Sequence, residues 1–148
     1  MLLNTASAVI SFVTKLEEET AKFYNELARK YPEGKEVFLS FSKENRKSKL
    51  MVERAYYGVI TDALEACFSF KDGLDPKAYA IKTELAEDAS YVDALKAVLE
   101  IEETIRKLYM DAAVLSEGLM ADVPRVFNIV AKKRGDRIAK LKALIAEG

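Results

Sequence analysis

Residues 13–28, VTKLEEETAKFYNELA, and residues 98–113, VLEIEETIRKLYMDAA, carry the same residue at six of sixteen positions. Val13, Glu17, Glu18, Lys22, Tyr24 and Ala28 fall on Val98, Glu102, Glu103, Lys107, Tyr109 and Ala113. In both stretches apolar residues recur three and four apart, the spacing of a helix with one buried face. A glutamate precedes a tyrosine by seven residues in each, which sets the two side chains on one side of the helix, two turns apart. The chain therefore reads as a duplication, with two copies of one helix, and the remaining segments supply their partners.

Four helices are expected. The first spans residues 5–30, with Val9, Val13, Leu16, Thr20, Phe23 and Leu27 on one face, and stops at Tyr31-Pro32-Glu33-Gly34. The second runs from Lys35 to about Phe70, turning Phe38, Phe41, Val52, Ala55 and Val59 inward, and a turn follows at residues 71–76. Residues 76–88 are expected to form a short helix inside a long connection that carries the chain back, so that helices two and three run parallel. Helix three covers residues 91–116 through Leu95, Val98, Ile101, Ile105, Leu108 and Ala112. Asp122 is the expected N-cap of helix four, with Pro124 in its first turn. The helix continues through Val126, Phe127, Val130, Ile138, Leu141 and Leu144. Overlaying Val37, Phe38 and Lys43 on Val126, Phe127 and Lys132 sets a register between the second and fourth helices. Short hairpin loops on either side of one long crossover predict a single domain over residues 1–148, an all-α four-helix bundle with ferritin-like connectivity.

Composition narrows the function classes. At 148 residues the chain is long enough to bury about two-thirds of its unfolded surface in one core. It has 23 basic and 24 acidic residues and no histidine, and its net charge of -1 argues against nucleic acid as a partner. The basic clusters Lys43, Arg46, Lys47, Lys49 and Lys132, Lys133, Lys140, Lys142 read as solvated helix faces, without the aromatic interleaving of a stacking platform. One cysteine, Cys67, excludes an internal disulfide and any CxxC metal pair, and is expected to be a small packed side chain near the end of helix two. No apolar run reaches the length of a membrane span, and the start lacks a basic signal region, so a cytoplasmic protein is expected.

Polar residues interrupt the apolar faces. At about 100° per residue, Glu102 falls inside the apolar arc of helix three, while Glu17 sits on the flank of helix one's arc, with Glu19 as far out on the other flank. Asn45 and Ser48 project from the same face as Phe41 and Val52, and Arg134 and Arg137 lie at the centre of helix four's stripe. A charge inside a bundle must be paired or neutralised, because an isolated ion in a low-dielectric interior is very costly. Two glutamates facing two arginines would make a neutral cluster.

These residues resemble the rubrerythrin branch of the ferritin-like superfamily over nearly the whole chain. The segment LEEETAKFYNELARKYPEGKEVFLSFSKEN is similar to the family's first helix, loop and start of the second helix, and EIEETIRKLYMDAA to its third. In that family each half contributes a ligand glutamate, a tyrosine seven residues on, and a Glu-x-x-His motif on the next helix, and the halves enclose a di-iron centre. The resemblance places Glu17 and Glu102 at the single-glutamate positions, with Tyr24 and Tyr109 as their companions. Asn45 and Ser48 stand where the first Glu-x-x-His belongs, and Arg134 and Arg137 where the second belongs. It thus implies a former di-iron pocket that no longer holds metal or any other cofactor, in a non-catalytic structural or interaction protein that forms a homo-oligomer, a dimer. The alternative is a metal-binding oxidoreductase or metal-storage protein. Iron or another divalent metal would then sit on Glu17, Glu44, Glu102 and Asp136, which requires a one-residue slip of Glu44 and Asp136 into register.

Overall fold

Among the described residues the chain forms four α-helices: α1 (Ala6–Lys30), α2 (Lys35–Val59), α3 (Tyr91–Ser116) and α4 (Asp122–Glu147). The computed structural model describes residues 2–59, 69–117 and 122–148. Cys67 lies outside the described residues. The starts of α1 and α3 follow local chemistry. The Thr5 hydroxyl accepts the Ala8 N–H at 3.1 Å to start α1. Ser90 and Asp93 form a reciprocal capping box at α3, and the Ser90 N–H holds the Asp93 carboxyl below its usual range. Between α1 and α2 runs one 3-10 turn, Pro32–Gly34. A Cβ on Gly34 would stand 2.5 Å from the Tyr91 ring, so glycine is what lets α3 begin against this hairpin end.

Side-chain contacts set the helix directions. Glu17 meets Tyr109 and Tyr24 meets Glu102, so α1 and α3 are antiparallel. Asn45 reaches Thr20 while Phe41 packs on Tyr24, which makes α1 and α2 antiparallel. Arg134 reaches Glu102 while Phe127 packs on Tyr109, and the same holds for α3 and α4. Asn45 meets Arg134 while Phe41 meets Arg137, so α2 and α4 are antiparallel too. The helices follow one another around a common core in the order α1, α2, α4, α3, with α2 and α3 parallel on the diagonal, as the crossover requires. Among the described residues no helix is long and apolar enough to cross a membrane.

The structure departs from expectation between α2 and α3. Of the expected continuation of helix two to Phe70, residues 60–68 lie outside the described residues; where the last of that helix and the following turn were expected, the chain forms a strand, β2 (Ser69–Leu74), paired antiparallel with β1 (Leu3–Thr5). Leu3 pairs with Leu74, both are buried, and Gly73 takes the positive φ of 68° that the irregular pairing needs. The expected short helix over residues 76–88 is a single 3-10 turn, Pro76–Tyr79, capped by the Asp75 carboxylate on the Lys77 N–H. Residues 80–86 then run without helix, with Ile81, Thr83 and Leu85 partly buried and Lys82, Glu84 and Ala86 exposed. That two-residue alternation is the pattern of an extended segment laid on a core. The Tyr79 hydroxyl bonds Asp111 on α3, and the Tyr31 hydroxyl donates to Ala89 O at 2.6 Å, tying both ends of the crossover down.

Candidate functional site

Midway along the helices the apolar core gives way to a polar layer. Glu17 from α1, Asn45 and Ser48 from α2, Glu102 from α3, and Arg134 and Arg137 from α4 are all buried, as are Tyr24 and Tyr109. Glu102 and both arginines arrive there by helical period, since each shares a face with apolar neighbours one turn away: Val98, Ile105, Val130, Ile138 and Leu141. Glu17 is buried although it lies at the flank of its arc, because α1 packs on both α2 and α3 and so buries a wide face. Glu19, the residue on the other flank, is exposed.

Arg134 is the hub. Its Nε donates to Glu102 Oε1 at 2.9 Å, Nη1 to Glu17 Oε2 at 3.2 Å, and Nη2 to Glu17 Oε1 at 2.6 Å and to Asn45 Oδ1 at 2.7 Å. Arg137 donates from Nε to Glu44 at 2.9 Å, from Nη1 to Asn45 Oδ1 at 2.6 Å and to both Glu102 oxygens at 3.3 Å, and from Nη2 to Phe41 O at 3.2 Å. The tyrosines complete the acceptors. Tyr24 OH donates to Glu102 Oε2 at 2.6 Å and Tyr109 OH to Glu17 Oε2 at 2.8 Å. Each tyrosine therefore serves the glutamate of the other copy, not the one seven residues before it. Asn45 turns its amide nitrogen to Thr20 Oγ1 and Glu17 O, which frees its carbonyl oxygen for the two guanidiniums.

Burial, then the neighbouring glutamate charge, push both phenols well above the ordinary tyrosine value: Glu102 acts on Tyr24 and Glu17 on Tyr109. Burial pulls the Arg134 guanidinium down, but Glu102 and Glu17 more than offset this and hold it well above its ordinary value. All three groups keep their protons at neutral pH. All four oxygens of the two buried carboxylates accept hydrogen bonds, which is the condition under which buried ions are tolerated.

Of the expected pocket residues, seven of eight join this network: Glu17, Tyr24, Asn45, Glu102, Tyr109, Arg134 and Arg137. The exception is Ser48, whose buried hydroxyl has no hydrogen-bond partner. The alternative ligand set is corrected. Asp136 is exposed, as its position one residue from Arg137 and two from Arg134 dictates, and α4 is continuous there. Glu44 is partly buried, its side chain 35% exposed, and it takes the Arg137 Nε as an ion-pair partner. Glu17, Glu44, Glu102 and Asp136 do not converge, and no group of three or more acidic or cysteine ligands is found among the described residues. Two members were not singled out from sequence as polar partners. Thr20 stands among apolar residues on helix one's face, three residues from Glu17, and that spacing was the available signal; Glu44 as the outer counter-ion of Arg137 follows from antiparallel α2 and α4.

A di-iron centre does not fit these residues. It would require imidazoles, and the chain has none. It would also set a dication beside two guanidiniums that already hold the carboxylate lone pairs. No family model, curated protein or solved structure matches the chain.

Proposed function

We propose that this chain is a ferritin-like protein of the rubrerythrin branch in which arginine has taken over the charge once supplied by a di-iron centre, and that it acts as a non-catalytic, homo-oligomeric structural or interaction protein. The observation that carries the reading is the Arg134 guanidinium, which bridges Glu17 and Glu102 at 2.6 and 2.9 Å where the duplicated halves meet. Two carboxylates facing each other across a duplicated helix pair support the reading, although each is backed by the tyrosine of the opposite copy and not by the one on its own helix. Two cations then balance two buried anions without metal. The antiparallel ring of helices with one long crossover supports the same connectivity.

The network also argues for a role outside the pocket. Tyr24, Tyr109 and Arg134 hold their protons at neutral pH, and the glutamate oxygens are engaged as acceptors, so a substrate would have to displace arginine to reach them. Expression in iron-loaded medium followed by metal analysis tests this. The expected result is an iron content far below one per chain. About two irons per chain, with an oxo-bridged absorption band, would overturn it.

A further inference from the structure

The crossover segment reads Ala80-Ile81-Lys82-Thr83-Glu84-Leu85-Ala86. It is a pseudo-palindrome about Thr83: alanine stands opposite alanine, isoleucine opposite leucine, and lysine opposite glutamate. The segment runs without helix from Ala80, whose φ of −66° and ψ of 136° are extended. Lys82 and Glu84 are exposed, whereas Ile81 and Leu85 pack on the core. Among the described residues, no hydrogen bond engages the backbone of residues 81–85. Open grooves flank it, about 340 Å³ against Glu26 and Lys30 of α1 and about 290 Å³ against Glu100 and Thr104 of α3.

An extended segment with unpaired N–H and C=O groups is a template for another strand. We infer that the occupant is the same segment of a second copy, paired antiparallel about Thr83. In that register Thr83 meets its own counterpart, Ile81 lies opposite Leu85, and Lys82 lies opposite Glu84 at both symmetry-related positions. The edge carrying the backbone of residues 81, 83 and 85 would form about six main-chain hydrogen bonds. Lys82 and Glu84 then fall at the non-hydrogen-bonded positions, where cross-strand side chains come closest. A one-residue slip would break both ion pairs and turn the apolar face outward, so the charges select one register. A two-fold contact of this kind is self-complementary by construction. The inference rests on the self-association in the proposed function and not on the fate of the metal site.

Sedimentation equilibrium on four proteins tests it. The unaltered chain is expected to be a dimer at tens of micromolar. Lys82→Glu alone and Glu84→Lys alone place like charges opposite each other twice, and each should raise the dimer dissociation constant by roughly tenfold or more. An equimolar mixture of the two single variants restores both ion pairs and should form a heterodimer. The double variant, Lys82→Glu with Glu84→Lys, should dimerise as the unaltered chain does. Both positions are exposed, so circular dichroism should show all four proteins equally folded. An unaltered chain that stays monomeric at roughly 100 µM would overturn this inference and the proposed self-association together. A dimer indifferent to both single changes would overturn this surface alone.

Discussion

Replacing Arg134 with leucine removes four hydrogen bonds and, among the described residues, the only cation that touches Glu17. Glu17 would keep one donor, Tyr109 OH, at a site with essentially no solvent exposure. Glu102 fares better, because Arg137 and Tyr24 still reach it. Stranding one buried carboxylate costs about 3–5 kcal/mol, and because the pair is fully buried no discount for solvent screening applies. For a chain of this size that corresponds to a fall in Tm of roughly 10 °C. Glu17→Leu leaves excess positive charge instead and should cost a similar amount. The double change, Glu17→Leu with Arg134→Leu, removes both ions and leaves the neutral Glu102–Arg137 pair. It should cost about 1–2 kcal/mol, mostly for the orphaned Tyr109 hydroxyl. The signature is a coupling of several kcal/mol, measured by urea denaturation of the four proteins followed at 222 nm. Small additive losses would refute the argument, since they would mean that water solvates these charges.

Two further expectations concern the same layer. Tyr24 and Tyr109 have folded-state pKa values raised above the unfolded one, so the folded state binds their protons more tightly; that stability is complete below about pH 10 and is lost as pH rises toward the folded values. In an alkaline titration followed at 295 nm, both phenols should ionise only with unfolding, and Tyr24→Phe, which removes a bond to a charged acceptor, should cost about 1.5–3 kcal/mol at neutral pH. Ser48→Ala removes a buried hydroxyl without a partner and should leave stability unchanged or raise it by up to about 1 kcal/mol, read from the same urea curves.

How far the polar layer was legible depends on how wide each helix's buried arc is. Glu102, Arg134 and Arg137 lie near the centre of narrow stripes, so a helical period alone places them inside. Glu17 lies at an edge, and its burial is decided by α1 packing on two neighbours, which a single helix wheel does not contain. The crossed tyrosine pairing was likewise hidden. Spacing along one helix says which face Tyr24 shares with Glu17, but antiparallel packing of the two copies brings each tyrosine level with the other glutamate. The boundaries of α1 and α3 followed local chemistry and read well; α3 begins and ends at the expected residues. The strand β1 did not. Three residues carry no period, and Leu3 acquires its partner from Leu74, far along the chain. In the crossover the two-residue alternation of residues 81–86 was present, but Pro76 and the alanines around it suggest a helix start, and only the core under Ile81 and Leu85 decides between them.

The layer also constrains how the helices can slide. Residues one turn from Arg134 on α4 are Val130 and Ile138, and both are buried. Sliding α4 by a turn so that Val130 takes the place of Arg134 would set an apolar side chain against Glu17 and Glu102 and drive a guanidinium into the apolar layers beside them. Rotating it by one residue would aim Gly135 at the acids. That slide and the rotation leave the two buried carboxylates without a cation, whereas the opposite slide brings Arg137 to the place of Arg134 but draws Arg134 unpaired into the layer of Val130; each would cost several kcal/mol. An apolar layer of the same volume tolerates such shifts far better, because hydrophobic contacts are not directional. The arginine that balances the charge of Glu17 and Glu102 therefore also fixes the register of α4 against α1 and α3, and Asn45 extends that constraint to α2 through its bonds to both guanidiniums. One polar layer holds all four helices in a single alignment.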